Sequence, residues 1–502
     1  MFDRPSVLSL RSSGNGVVQQ RRIPIASVVL IAWFVLSAYA LPGASARAAT
    51  APFATISSAS FSGLITRDVS FLGGNEVTLH GTILELPTAK PGRAGVVLVH
   101  GSGVGLRTSL LAEATAFAQQ GLSVLIYDKR SVGYSTFQRS YSLLADDALG
   151  AIRTLRAHTG VDPRKVGIWG FSEGGWVAPL AASRSADIAF VIVIGANAIE
   201  PLQQQTWALT SALWRAGISG SLIERSVPRM YRLLADIGMF AEAYYDGEAV
   251  LRHVRQPLLG IWGGHDLSTP PQENPPLFAH ALSQGGNTHY TFRFFPNADH
   301  AVHQTLEGGQ TRLPELSPGY AELVGSWVND VTSGRLPAAD AAPVPHQDRL
   351  STPMPRSSWW EAAWMHLIVL VLLLAGFSAY PLVALVRRMR DSSLLAPVGS
   401  SARLLAAAGV ITVLGFFVYL LYLLMSTGMV AEPGPVLAGR SLAWLLLQAL
   451  ALVTTGAMVA TTVSWCRRGS LVSRGERLRL GLLLAGGVLF IPWALYWGLL
   501  LP

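Results

Sequence analysis

Cysteine is almost absent: Cys466 is the only one in 502 residues. That excludes an intramolecular disulfide and any zinc site built from several thiolates, and it leaves the redox character of the compartment open. Charge is scarce as well. Asp, Glu, Lys and Arg make up 14% of the chain, against about 25% in an ordinary soluble domain. Hydrophobic residues reach 50%, so part of the chain faces lipid. The formal net charge is +8, yet no lysine- or arginine-rich run of the kind that tracks phosphates is present, and nucleic acid is not an expected partner. The arginines stand beside long apolar stretches, where membrane topology accounts for them.

Those stretches organise both ends of the chain. Arg4, Arg11, Arg21 and Arg22 precede an apolar run, Ile23–Leu41, which is followed by Pro42-Gly43 and Ala44-Ser45-Ala46. A basic start, an apolar core and a small-residue site describe a secretory signal over residues 1–49. The core is long enough for a retained anchor, so both outcomes stay open. Residues around Arg21-Arg22 fit a twin-arginine signal poorly. At the other end lie Trp364–Val386, Leu404–Met425, Leu442–Ser464 and Leu480–Pro502. Each is about 22 residues, or about 33 Å as a helix, enough to cross a bilayer core.

Arg387, Arg388, Arg390 and Arg403 follow the first stretch, and Arg467, Arg468, Arg474, Arg477 and Arg479 follow the third, whereas the middle loop offers only Arg440. The positive-inside rule puts the two arginine-rich loops in the cytoplasm and whatever precedes the first span on the far side of the cell membrane. Trp359, Trp360 and Trp364 would then form an outer aromatic belt. Acids are missing from the span interiors and no clear repeat is visible, which argues against transport by this region. His366 lies within a turn of the outer end and reads as an interfacial residue, while Gln448, Thr454 and Thr455 suit helix packing.

Between the two ends, residues 61–334 read as a soluble α/β domain. Thr66–Phe71 and Val77–Leu86 alternate like a hairpin around Gly73-Gly74-Asn75. Apolar runs at Val96–Val99, Val124–Tyr127, Val166–Trp169, Phe190–Ile194, Leu258–Trp262 and Tyr290–Phe295 alternate with amphipathic stretches at Leu110–Gln120, Leu143–Ala157 and Tyr320–Val331. Continuous apolar strands between helices predict a mostly parallel sheet covered on both faces. Residues 197–255 break the rhythm with a helical, aromatic-rich insertion placed where a lid would sit. Residues 335–358, rich in Pro and Ala, read as a linker, and residues 359–502 as the four-helix membrane region.

Chemistry concentrates at strand ends. Gly170-Phe171-Ser172-Glu173-Gly174 follows an apolar run and precedes a helix-compatible one. A serine on such a strand–turn–helix elbow has its hydroxyl exposed. His100-Gly101-Ser102-Gly103 follows another strand, and backbone N–H groups near Ser102 and at Glu173 are candidate oxyanion donors. Asp266 ends the Leu258–Trp262 strand segment and its turn, and His300 follows Tyr290–Phe295. Asp299 and His265 compete with Asp266, and His303 competes with His300. His100 reads as a structural turn residue. Asp128 and Arg130 read as a local ion pair or a loop brace, and the Glu173 side chain as shaping the site entrance.

With the order Ser172, Asp266, His300, these features resemble the α/β-hydrolase superfamily. Tyr127-Asp128-Lys129-Arg130-Ser131-Val132-Gly133-Tyr134-Ser135 is similar to the corresponding segment of bacterial serine esterases, dienelactone hydrolases and serine aminopeptidases, with Ser131 where glycine is usual. The likeness covers about residues 66–330 and excludes the four-span tail. It implies acyl transfer from a small ester, thioester or amide. Ser172 would be the nucleophile, His300 the base and Asp266 its orienting acid, with Ser102 and Glu173 backbone donors and neither metal nor cofactor. The competing reading is a non-catalytic ligand-binding or sensory domain that keeps the scaffold and signals through the membrane helices.

Overall fold

The computed structural model describes residues 63–88, 90–135, 137–389, 399–425, 432–468 and 474–502. The N-terminal signal or anchor and Arg390 lie outside the described residues. Among the described residues, eleven strands precede the four long apolar helices: β1 Ile65–Leu72, β2 Thr78–Glu85, β3 Arg93–Val99, β4 Ser123–Tyr127, β5 Val161–Phe171, β6 Val191–Ile194, β7 Leu258–Gly263, β8 Tyr290–Phe295, β9 His303–Leu306, β10 Thr311–Leu316 and β11 Asp340–Ala341. Nine of them make one sheet in the order β1-β2-β4-β3-β5-β6-β7-β8-β11. The β1/β2 and β2/β4 pairs are antiparallel, and every later pair is parallel.

Strand composition explains why this sheet is covered on both sides. Val97, Val99, Val191 and Val193 enter one buried cluster, whereas Val96, Leu98, Ile192 and Ile194 enter another. Successive side chains of a strand point to opposite faces, so an unbroken apolar run requires a helical layer on each. Helices α1 Leu111–Gln119, α2 Tyr141–Arg156, α3 Gly174–Arg184, α4 Pro201–Arg215, α5 Val227–Asp236, α6 Gly247–Leu251, α7 Asn274–Gln284 and α8 Tyr320–Thr332 provide these layers and the insertion. Ser140 caps α2 by accepting from Leu143 N. α1 and α8 bring Phe117, Tyr320 and Val328 to one face, while α2 and α3 bring Ile152, Trp176 and Val177 to the other.

Four helices then follow: α9 Ala363–Met389, α10 Gly399–Met425, α11 Leu442–Arg468 and α12 Arg474–Tyr496. Each is long and apolar enough to span a membrane, with mean hydropathy between 1.9 and 2.5. Gly376 and Gly486 let α9 and α12 meet closely, since a Cβ at Gly376 would lie 3.1 Å from the Gly486 Cα. Small residues at such crossings are how packed membrane helices gain contact. The last helix stops at Tyr496, and residues 497–502 turn beneath the insertion.

Residues 335–358 are tied down along their length. β11 extends the sheet beyond β8. Gln347 and Ser351 bond to Glu273, and the Arg349 carbonyl accepts from Trp207 Nε1 at 2.7 Å.

Candidate active site

The elbow is built as its sequence requires. β5 ends at Phe171, Ser172 adopts φ +54°, and α3 begins at Gly174. A left-handed serine costs on the order of 1–3 kcal/mol and persists only where its surroundings enforce it. Here Ser172 N donates to the Ile194 carbonyl at 2.9 Å. A Cβ at Gly170 would sit 2.0 Å from the Gly174 carbonyl oxygen, and one at Gly174 would sit 2.5 Å from the Val99 oxygen. Only glycine lets strand and helix close this tightly.

His300 stands on the other side of the Ile194–Gly195 corner. A Cβ at Gly195 would lie 2.7 Å from its Nδ1, and its ring centroid is 4.9 Å from that of Phe171. His300 Nδ1–H donates to Asp266 Oδ2 at 2.7 Å. Asp266 is itself fixed: Oδ1 accepts from Ser268 N and Thr269 N at 2.8 Å each, and Oδ2 accepts from Thr269 Oγ1 at 2.6 Å. Both residues are buried. Two of the three rivals are engaged elsewhere. His303 meets Glu113 and the Leu313 carbonyl, and Asp299 takes Ala301 N, His303 N and Arg312. His265 lines a separate cavity with Asp266.

Ser172 Oγ and His300 Nε2 make no hydrogen bond among the described residues. Such bonds often tighten only in the substrate complex. The backbone N–H groups of Ser102 and Glu173 are likewise unengaged among the described residues. A Cβ at Gly101 would lie 3.3 Å from Ser172 Cβ, so this loop passes directly against the serine. His100 is held at its base. Nε2–H donates to the Tyr127 carbonyl at 2.7 Å, and burial pushes its pKa down to about 4.

The Glu173 side chain does more than shape an entrance. It is buried and accepts from Lys129 Nζ, from Tyr134 OH at 2.9 Å and from Arg139 at 2.8 Å. Lys129 Nζ also donates to the Gly101 carbonyl at 2.7 Å and to Tyr134 OH at 2.8 Å, and Gly103 N donates to that same hydroxyl at 3.0 Å. Burial lowers the Lys129 pKa and raises that of Tyr134. The network therefore joins the Gly101–Gly103 turn to the residue after the serine. Sequence reading quoted Lys129 and Tyr134 only as part of a similar segment, and it passed over Arg139 and Thr269. Nor do Asp128 and Arg130 pair with each other. Arg130 forms a two-pronged pair with Asp147, 2.6 Å on each side, and Asp128 holds Arg107.

A cavity of about 350 Å³ lies between α4 and the loop after β7, lined by Trp207, Trp214, Asp266 and Leu267 among others. It borders the acid rather than the serine.

Residues 137–313, which include Ser172, Asp266 and His300, match the prolyl oligopeptidase family. The match spans about a third of the chain and falls within the mostly parallel sheet and its helices. Among curated relatives, a polyketide transferase, claH, of Penicillium crustosum is 33% identical over 132 residues, covering 25% of this chain and 43% of that protein. The quorum-quenching protein AidA of Acinetobacter baumannii (strain MDR-ZJ06) is 33% identical over 110 residues, 21% of this chain and 36% of its own length. The chain thus spans less than half the length of the curated relatives it matches. Among solved structures, a dienelactone hydrolase from Anabaena variabilis ATCC 29413 is similar at 21% identity and TM-score 0.33, covering 55% of this chain and 100% of that one.

Proposed function

We propose that this protein is a membrane-tethered serine hydrolase that cleaves carboxylic esters, or thioesters and amides of the same reactivity, through an acyl-enzyme on Ser172. The observation that carries the reading is the 2.7 Å bond from His300 to a fully braced Asp266, at the same strand ends as a left-handed Ser172. Asp266 fixes the Nδ1–H tautomer and leaves Nε2 as the base for the serine proton. Ser172 Oγ attacks the acyl carbon, and charge develops on the carbonyl oxygen, where the N–H groups of Glu173 and Ser102 receive it. Each such donor is worth about 10²–10³ in rate. The imidazolium protonates the leaving group, and water, deprotonated by the same histidine, releases the acid. Partial likeness to a polyketide transferase and to proteins named thiohydrolases supports acyl chemistry.

We infer that the domain lies on the extracytoplasmic side of the cell membrane, as the loop arginines imply. Its polar contacts with the helical region include Glu361, Gly439 and Trp497–Leu501, at the ends opposite Arg403, Arg467 and Arg474. The test is covalent labelling of the full chain with a fluorophosphonate. Labelling that disappears in Ser172→Ala supports a hydrolase, whereas an unlabelled wild type returns the domain to a ligand-binding role.

A further inference from the structure

Two surfaces of the insertion are occupied at once. Toward the site, Gln204 Nε2 donates to the Ser268 carbonyl just past Asp266, the Tyr141 backbone N–H bonds Glu242 at 3.2 Å, and Tyr245 packs edge-on to Tyr141 at 4.8 Å. The insertion therefore lies over the carboxyl ends of β4, β6 and β7. On its other side, Leu213, Ile218, Leu222, Val227 and Met230 share one buried cluster with Phe416, Trp444 and Trp497 of the helical bundle. Polar contacts fasten the same seam. Ser226 Oγ donates to the Trp497 carbonyl, Ser221 Oγ to that of Leu501 at 3.1 Å, and Ser219 N to that of Gly439 at 2.7 Å. Arg232 pairs with Glu361 at 3.1 Å.

Such an insertion is not a flap standing in water. It is wedged between the candidate site and one end of the bundle, so the carboxyl edge of the sheet, with Ser172 and His300, faces that end of the bundle. Level with this seam, Trp359, Trp360 and Trp364 are exposed, as tryptophans are at the headgroup layer. Exposed Arg225 and Arg356 add positive charge at the same level, suited to lipid phosphates.

Building on the hydrolase reading above, we infer that the substrate is a bilayer-resident acyl amphiphile whose ester or thioester lies at headgroup depth, and that it reaches Ser172 along the rim between the insertion and the membrane. An acyl chain leaving the bilayer for bulk water would expose apolar surface at about 0.8 kcal/mol per methylene. Access from the interface would avoid most of that cost, because the carbonyl already sits there.

The experiment uses the full chain in vesicles of phosphatidylethanolamine and phosphatidylglycerol carrying a fluorogenic acyl phosphatidylglycerol, beside a water-soluble short-chain p-nitrophenyl ester. At fixed bulk concentration, diluting the fluorogenic lipid tenfold with a non-hydrolysable ether lipid should lower its initial rate about tenfold, because the working concentration is the one in the surface. The soluble ester rate should not change. Lipid turnover that ignores surface dilution overturns the inference. So does absent lipid turnover in a protein that still cleaves the soluble ester and labels at Ser172, and that result leaves the hydrolase reading standing. If neither ester nor probe reacts in a Ser172-dependent way, the hydrolase reading fails and the inference falls with it.

Discussion

Removing the Lys129 ammonium tests whether the buried network positions the oxyanion turn or merely stabilises the fold. In Lys129→Met the Gly101 carbonyl loses a 2.7 Å donor, Tyr134 OH loses one at 2.8 Å, and Glu173 keeps Arg139 at 2.8 Å. A hydrogen bond to a charged group is worth about 1.5–3 kcal/mol, and the ammonium is itself relieved of burial, so the net loss of stability should be about 2–4 kcal/mol. The rate should fall further than stability alone explains. The Gly101–Gly103 turn keeps its N–H groups but not their aim, so part of the 10²–10³ carried by an oxyanion donor is forfeited, leaving kcat about 10- to 100-fold lower. KM should move little, because the loss falls in the transition state. The assay is steady-state ester hydrolysis, with folding followed by thermal denaturation in the same detergent. Because Glu173 keeps its pair with Arg139 in this variant, the charge of the network still balances, and the fall in kcat can be read apart from the fall in melting temperature. Wild-type kcat in Lys129→Met refutes the positioning role.

The remaining expectations are shorter. Asp266→Asn should keep the protein folded yet lower kcat by about 10⁴, the loss expected when the imidazole tautomer is no longer held, read by ester hydrolysis. His100 is buried neutral with a pKa of about 4 against 6.5 for the free side chain. The unfolded chain therefore binds the extra proton as pH falls from 6.5 toward 4, and stability present above 6.5 is lost across that window, by about 3 kcal/mol. His100→Gln should flatten the pH dependence of the melting temperature there; an unchanged slope would contradict the assignment. Arg130→Met leaves Asp147 buried without its partner and should cost about 3–5 kcal/mol in chemical denaturation, whereas Arg164→Met, whose pair with Asp162 is exposed, should change stability little.

Sequence alone determined what depends on local periodicity and chain order. Unbroken apolar runs such as Val191–Ile194 are compatible only with a sheet covered on both faces, and four apolar stretches are long enough to cross a bilayer whatever they pack against. The order of an elbow serine, a post-strand acid and a later histidine is likewise a property of the string. Tertiary structure decided which groups meet. His300 and His303 are three positions apart, and only the fold turns one to Asp266 and the other to Glu113. Glu173 and Lys129 are 44 positions apart, so their pairing leaves no periodic trace. The union of insertion and bundle was equally invisible, because an apolar face in a sequence declares that it will be buried but not against what. Burial is non-directional, and its partner is fixed only when the whole chain has closed.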